Sequence, residues 1–195
     1  MAEALIPLLE EVRACRLCEQ HLPLGPRPVL RAGPRARVLI IGQAPGTRVH
    51  ETGIPWNDPS GDRLREWLAM DRETFYDTGR IAIVPMGFCY PGRGRGGDLP
   101  PRPECAPTWH PRLRAALPNV RLTLLVGRHA QQGYLEVRGE TLTDTVRRWP
   151  DFLPTFFPLP HPSPRNRRWL RDRPWFGEEV VPALRGEVRR ALGTS

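Results

Sequence analysis

The residues best able to do chemistry fall into two sets. The first is four cysteines, Cys15, Cys18, Cys89 and Cys105. Cytosolic proteins rarely use disulfides, so a C-x2-C joined by a second, wider pair indicates a metal site more than stray thiols. Four thiolates fit either a [4Fe–4S] cluster or a structural zinc. Zinc sites usually pair two C-x2-C knuckles, and the spacing between Cys89 and Cys105 is less typical of them. The second set lies in two segments. One reads Gly42-Gln43-Ala44-Pro45-Gly46 and runs on through Trp56 and Asp58 to Asp62; the other reads His161-Pro162-Ser163-Pro164-Arg165-Asn166. Taken singly, Asp58 ahead of Pro59 and Ser60 reads as an Asx turn. Trp56 reads as core and His161 as an ordinary loop residue. Taken together, in this order and each just past a predicted strand, the two segments are specific.

The elements that must position them follow from hydrophobic patterning. Apolar, β-rich runs occur at 37–42 (RVLIIG), 81–85 (IAIVP), 122–127 (LTLLVG) and 156–159 (FFPL). Such short continuous runs suit strands covered on both faces. Helical patterns occupy 4–16, 60–70, 108–117, 129–135 and 178–192. In the second of these, Ser60 is a possible N-cap and Leu64, Trp67 and Leu68 share a face. This alternation predicts an α/β fold: a three-layer α/β/α sandwich on a mostly parallel four-stranded sheet, in one domain over 1–195. Ligands of such sheets bind at the carboxyl ends of strands, where both segments fall.

Composition narrows the partners. All 29 basic residues are arginine, none lysine, and the formal net charge is +8. A basic, arginine-only surface suits a polyanion, commonly nucleic acid, although a GC-rich genome would also favour Arg, Pro and Gly. There is no apolar run long enough to span a membrane. The opening residues, with Glu3, Glu10 and Glu11, do not read as a secretory signal. The expected compartment is therefore the cytoplasm. Nothing such as a heptad seam calls for an oligomer, so a monomer is expected.

The two segments carry a family resemblance. GQAPG (Gly42–Gly46) resembles motif A of the uracil-DNA glycosylase superfamily, and HPSPRN (His161–Asn166) resembles its motif B. The cysteine pattern resembles the iron–sulfur families 4 and 5. Motif B of the form HPSxxN, and a TGxPF-like stretch at Thr52–Asp62 with one residue deleted, are closest to family 5.

The resemblance implies a monofunctional glycosylase that hydrolyses the N-glycosidic bond of a flipped base, in bacterial, nucleoid-associated DNA containing deaminated bases. Asp58 would orient water and stabilise the sugar cation, with Asp62 or His50 as the alternatives; His161 would donate to the departing base. Gly42, Gln43, Ala44, Pro45 and Trp56 would line the base slot, with Trp56 where the family usually has phenylalanine. Ser163, Arg165 and Asn166 would meet the DNA, Arg165 as a wedge. Cys15, Cys18, Cys89 and Cys105 would hold a [4Fe–4S] cluster. Pro85 stands where family 4 has a base-reading asparagine, so a broad substrate range (uracil, hypoxanthine, xanthine) is expected. The absence of lysine excludes a lysine Schiff-base lyase. The rival reading is a non-catalytic iron–sulfur protein that captures damaged or single-stranded DNA.

Overall fold

The computed structural model describes residues 4–137 and 139–194. Four of its strands are β1 (Val38–Ile41), β2 (Ile81–Ile83), β5 (Leu122–Val126) and β6 (Phe156–Leu159). They form one parallel sheet in the order β2-β1-β5-β6. All four coincide with the apolar runs of the sequence. A short antiparallel ribbon, β3 (Arg93–Gly94) with β4 (Gly97–Asp98), lies within the Pro/Gly-rich stretch between the last two cysteines.

Burial on both faces explains why the strands read as continuous apolar runs rather than alternating ones. Along β1, Val38 and Ile40 enter one core with Ile81, Leu124 and Phe157, while Leu39 and Ile41 enter the other with Ala82 and Leu125. The first core is closed by α3 (Pro59–Leu68), α4 (Arg72–Tyr76), α7 (Leu142–Arg147) and α9 (Val181–Leu192), through Leu64, Trp67, Phe75, Val146, Leu184 and Val188. The second is closed by α1 (Leu5–Arg13), α5 (Cys105–Ala115) and α6 (Arg128–Tyr134), through Leu8, Val12, Trp109, Leu113 and Ala130. Each fully buried Leu, Ile or Phe contributes roughly 1.5–3 kcal/mol, so the two cores fix the expected α/β/α layering.

Two boundaries, and the number of helices, differ from the sequence expectation. Helix α3 is capped by Asp58, whose Oδ1 accepts the Gly61 N–H at 2.8 Å, and not by Ser60, which is buried inside the first turn. Pro59 at the first helical position suits that cap, because its missing N–H is one the helix cannot use. The C-terminal pattern at 178–192 divides into a π-turn over Phe176–Val180 and then α9, with Pro182 near the join. A proline supplies no N–H to continue the upstream register. The short helices α2 (Thr47–Thr52), α4, α7 and α8 (Arg167–Arg171) go beyond the five expected. Among the described residues no helix is long and apolar enough to cross a membrane.

Candidate active site

The carboxyl ends of the strands open into a cavity of about 440 Å³, within the range of small-molecule sites. Its walls are the loop after β1 (Gly42, Gln43, Ala44, Pro45), the segment before α3 (Trp56, Asp58) and the loop after β6 (His161, Ser163, Arg165, Asn166). Asp58 and His161, the five base-slot residues and the three DNA-facing residues that the resemblance assigned therefore border one space. Asp62 and His50 do not border it. Asp62 is turned to solvent and paired with Arg65. His50 has a buried Nδ1 with no hydrogen-bond partner and a ring 6.2 Å from that of Tyr90.

The loop after β6 is pinned by backbone bonding. The Asn166 amide donates to the His161 carbonyl at 2.7 Å, and the Arg63 guanidinium donates to the Ser163 carbonyl at 3.2 Å. Ser163 Oγ accepts the Arg165 N–H at 3.2 Å and so caps the turn that follows. Arg165 does not stand free as a wedge here: its guanidinium donates to the Gly96 carbonyl at 3.0 Å, which ties this loop to the β3–β4 ribbon.

The protonation of His161 follows from its contacts. The Ser163 N–H donates to Nδ1 at 3.2 Å, so Nδ1 is the acceptor nitrogen and the proton of the neutral ring sits on Nε2. Burial pulls the His161 pKa below the ordinary value of 6.5, against an opposing pull from the Asp58 carboxylate. The ring is partly buried and opens only toward the cavity. The site thus holds a neutral imidazole donor and an acidic side chain on one wall system, the pairing needed to stabilise opposite charges developing on two parts of one substrate.

Trp56 packs over the first motif. A Cβ on Gly42 would sit 2.7 Å from the Trp56 ring, so glycine is required for the approach. The indole centroid lies 5.6 Å from that of His161, tilted by 34°. Trp56 has a positive φ of 57°, a left-handed conformation unusual for a bulky residue. Val29, Val49, Ile83, Gly96, Gly97 and Asp98 also line the cavity, and sequence reasoning missed them. Pro85, noted in the sequence as the replaced base reader, lines it too, its carbonyl hydrogen-bonded by buried His110 at 3.0 Å.

The four cysteines border a second void together with Leu22, Pro26, Pro28 and Phe88, and all four are free thiols. Burial pushes the Cys89 thiol up to about 11 and the Cys105 thiol up to about 12, and the neighbouring cysteines add to both. The sulfurs share a void, but among the described residues no three His, Cys, Asp or Glu side chains form the compact group that a single metal ion requires.

Residues 31–185 match the family model described as the uracil DNA glycosylase superfamily. The chain belongs to that superfamily, as its parallel sheet and its two strand-end motifs already indicate. It is similar to the type-4 uracil-DNA glycosylase of Sulfurisphaera tokodaii, with 22% identity over 149 residues. That alignment covers 74% of this chain and 64% of the relative, so the chain spans less than two thirds of the relative's length.

Proposed function

We propose that the chain is a monofunctional DNA glycosylase that hydrolyses the N-glycosidic bond of uracil in DNA and leaves an abasic site. The observation that carries this reading is the convergence of Asp58 and His161 on one cavity whose size suits a nucleobase. A base inside a duplex must be extruded to reach such a space. Its aromatic wall is Trp56, and base–aromatic stacking is worth about 1–3 kcal/mol. As the bond breaks, positive charge develops on the sugar and negative charge on the base. Asp58 orients the attacking water and stabilises the sugar cation, while the Nε2–H of neutral His161 donates to the base oxygen. A neutral donor serves an anion that leaves near neutral pH without first having to be protonated itself.

We further propose that hypoxanthine and xanthine are accepted. Pro85 offers the base no side-chain donor or acceptor, and a pocket without such a reader leaves little unpaired when the wrong base enters. The formal charge of +8 and the arginine-rich helix α8, directly after the loop that carries His161, support DNA as the partner.

The cysteines are read as ligands of a [4Fe–4S] cluster, with structural zinc as the alternative. Four free thiols lining one void support a shared metal group, and the wide Cys89–Cys105 spacing, together with the resemblance to the iron–sulfur families, favours the cluster over zinc. Bound metal would hold the thiols as thiolates and brace α1 and the following turn, which carry Cys15 and Cys18, against the start of α5. The residues at the cavity do the hydrolytic work.

The test is incubation of the purified protein with oligonucleotides carrying uracil, hypoxanthine or xanthine, followed by alkaline cleavage. Strand breaks at the altered base support the glycosylase. Retained DNA binding with no cleavage from any of the three bases supports the non-catalytic reading instead.

A further inference from the structure

The segment Pro55–Asn57 is gripped from behind at three consecutive residues, on the side away from the cavity chemistry. Tyr76 Oη donates to the Pro55 carbonyl at 2.7 Å. The Arg65 guanidinium donates to the Trp56 carbonyl at 3.2 Å. The Arg72 guanidinium donates to Asn57 Oδ1 at 2.8 Å. Gly61 completes the fit, since a Cβ there would lie 1.7 Å from the Trp56 carbonyl oxygen.

These contacts are unusual in two ways. Arg65 is only 7% exposed, and a buried guanidinium is costly unless it is fully engaged. It is engaged: beyond Trp56 it bonds Tyr76 Oη at 3.4 Å and Asp62 at 2.5 Å, and its cation lies 5.2 Å from the Phe75 ring centroid. The residue it holds, Trp56, has the left-handed φ of 57°, a conformation that persists only when the surroundings over-determine it. A free loop would relax, and the indole would leave its place over Gly42 and beside His161.

We infer that Arg65 and Tyr76 are positioning residues that hold Trp56 in its left-handed pose, so that its indole stays at the cavity wall as the stacking surface for the extruded base. Neither Arg65 nor Tyr76 lines the cavity. The inference rests on the glycosylase reading, because it supposes that a base is excised against Trp56.

Single-turnover excision of uracil, with enzyme in excess, tests it on the full chain. Tyr76→Phe removes one hydroxyl and leaves the ring in the core. It lowers the excision rate by roughly 10- to 100-fold, since a misplacement of up to about 1 Å from a residue remote from the chemistry can cost as much as 10²-fold, while oligonucleotide Kd and the melting midpoint stay near the unmutated values. Arg65→Lys keeps the charge but loses the fork, and it lowers the rate at least as much. If that variant misfolds, Tyr76→Phe still decides. In a Trp56→Ala background Tyr76→Phe has little further effect, because the residue it acts through is gone. A full rate for Tyr76→Phe overturns the inference, as does an equal loss in the Trp56→Ala background. An unmutated protein that releases none of the three deaminated bases overturns the glycosylase reading, and this inference with it.

Discussion

The cavity at the strand ends and the void among the cysteines are both built from residues far apart in the chain, but they are held in opposite ways. The cavity is set by the protein alone. Backbone carbonyls of its loops are bonded by Asn166, Arg63 and Arg65, and Trp56 is kept in a left-handed pose. Space for a ligand remains once those bonds are made. The cysteine region differs: four free thiols border one void, and burial pushes the two most buried up to about 11 and about 12 despite a backbone hydrogen bond to each. On the proposed function, the difference is that between a preorganised binding site and a structural socket whose stability depends on what fills it.

The comparison can be broken at either region. The largest effect is expected at Asp58. Asp58→Asn keeps an acceptor for the Gly61 N–H, so α3 retains its cap. Loss of the carboxylate lowers excision by roughly 10²–10⁴-fold, with oligonucleotide binding retained in a gel-shift measurement. Loss of binding together with excision would mean that Asp58 is structural.

His161→Ala comes next. Removing a single donor to a developing anion costs on the order of 10²–10³-fold in rate. The effect falls on the single-turnover rate rather than on Kd for undamaged DNA.

At the other region, Cys105→Ser removes one corner of the socket. Visible absorbance of the purified protein is lost, and the melting midpoint falls by on the order of 10 °C, since a few kcal/mol shifts a chain of this length by that much. The cavity geometry predicts that any folded fraction still excises uracil. A folded Cys105→Ser protein with normal absorbance and melting would remove the socket reading.

The smallest effect is a pH dependence of stability. Burial depresses His110, His129 and His161 below 6.5. The unfolded chain therefore takes up protons first as pH falls, so the stability these groups contribute is present above 6.5 and is lost as pH drops toward their folded values. Melting midpoints measured from pH 7.5 downward should decline across that window. For His110→Phe the decline should be shallower, although that substitution also gives up the bonds to Pro85 and Tyr134.

Much of this arrangement was legible in the residues. The four sheet strands showed as apolar runs because both faces are covered, and the two motifs showed because each follows a strand directly. The helices that escaped notice, α2, α4, α7 and α8, have only five or six residues, too few for a 3.6-residue period to register. The cap of α3 was misplaced by two residues because Asp58 and Ser60 are both capping types; Pro59 was the signal that separates them. Asp98, Val29 and the grip of Arg65 and Tyr76 left no trace, because bonds from side chains to distant carbonyls follow no sequence period. The Asp58–His161 convergence was expected from resemblance to a family and not from the residues themselves, whose plainest readings were a turn and a loop.

The central claim is that Asp58 and His161 address one extruded base. The most direct measurement is a crystal structure of Asp58→Asn bound to an oligonucleotide containing uracil. We expect the uracil turned out of the helix, its ring against Trp56, its carbonyl oxygen within hydrogen-bonding reach of His161 Nε2, and its sugar facing residue 58. A base that stays stacked in the duplex, or DNA seated on another face with the cavity empty, would contradict the account.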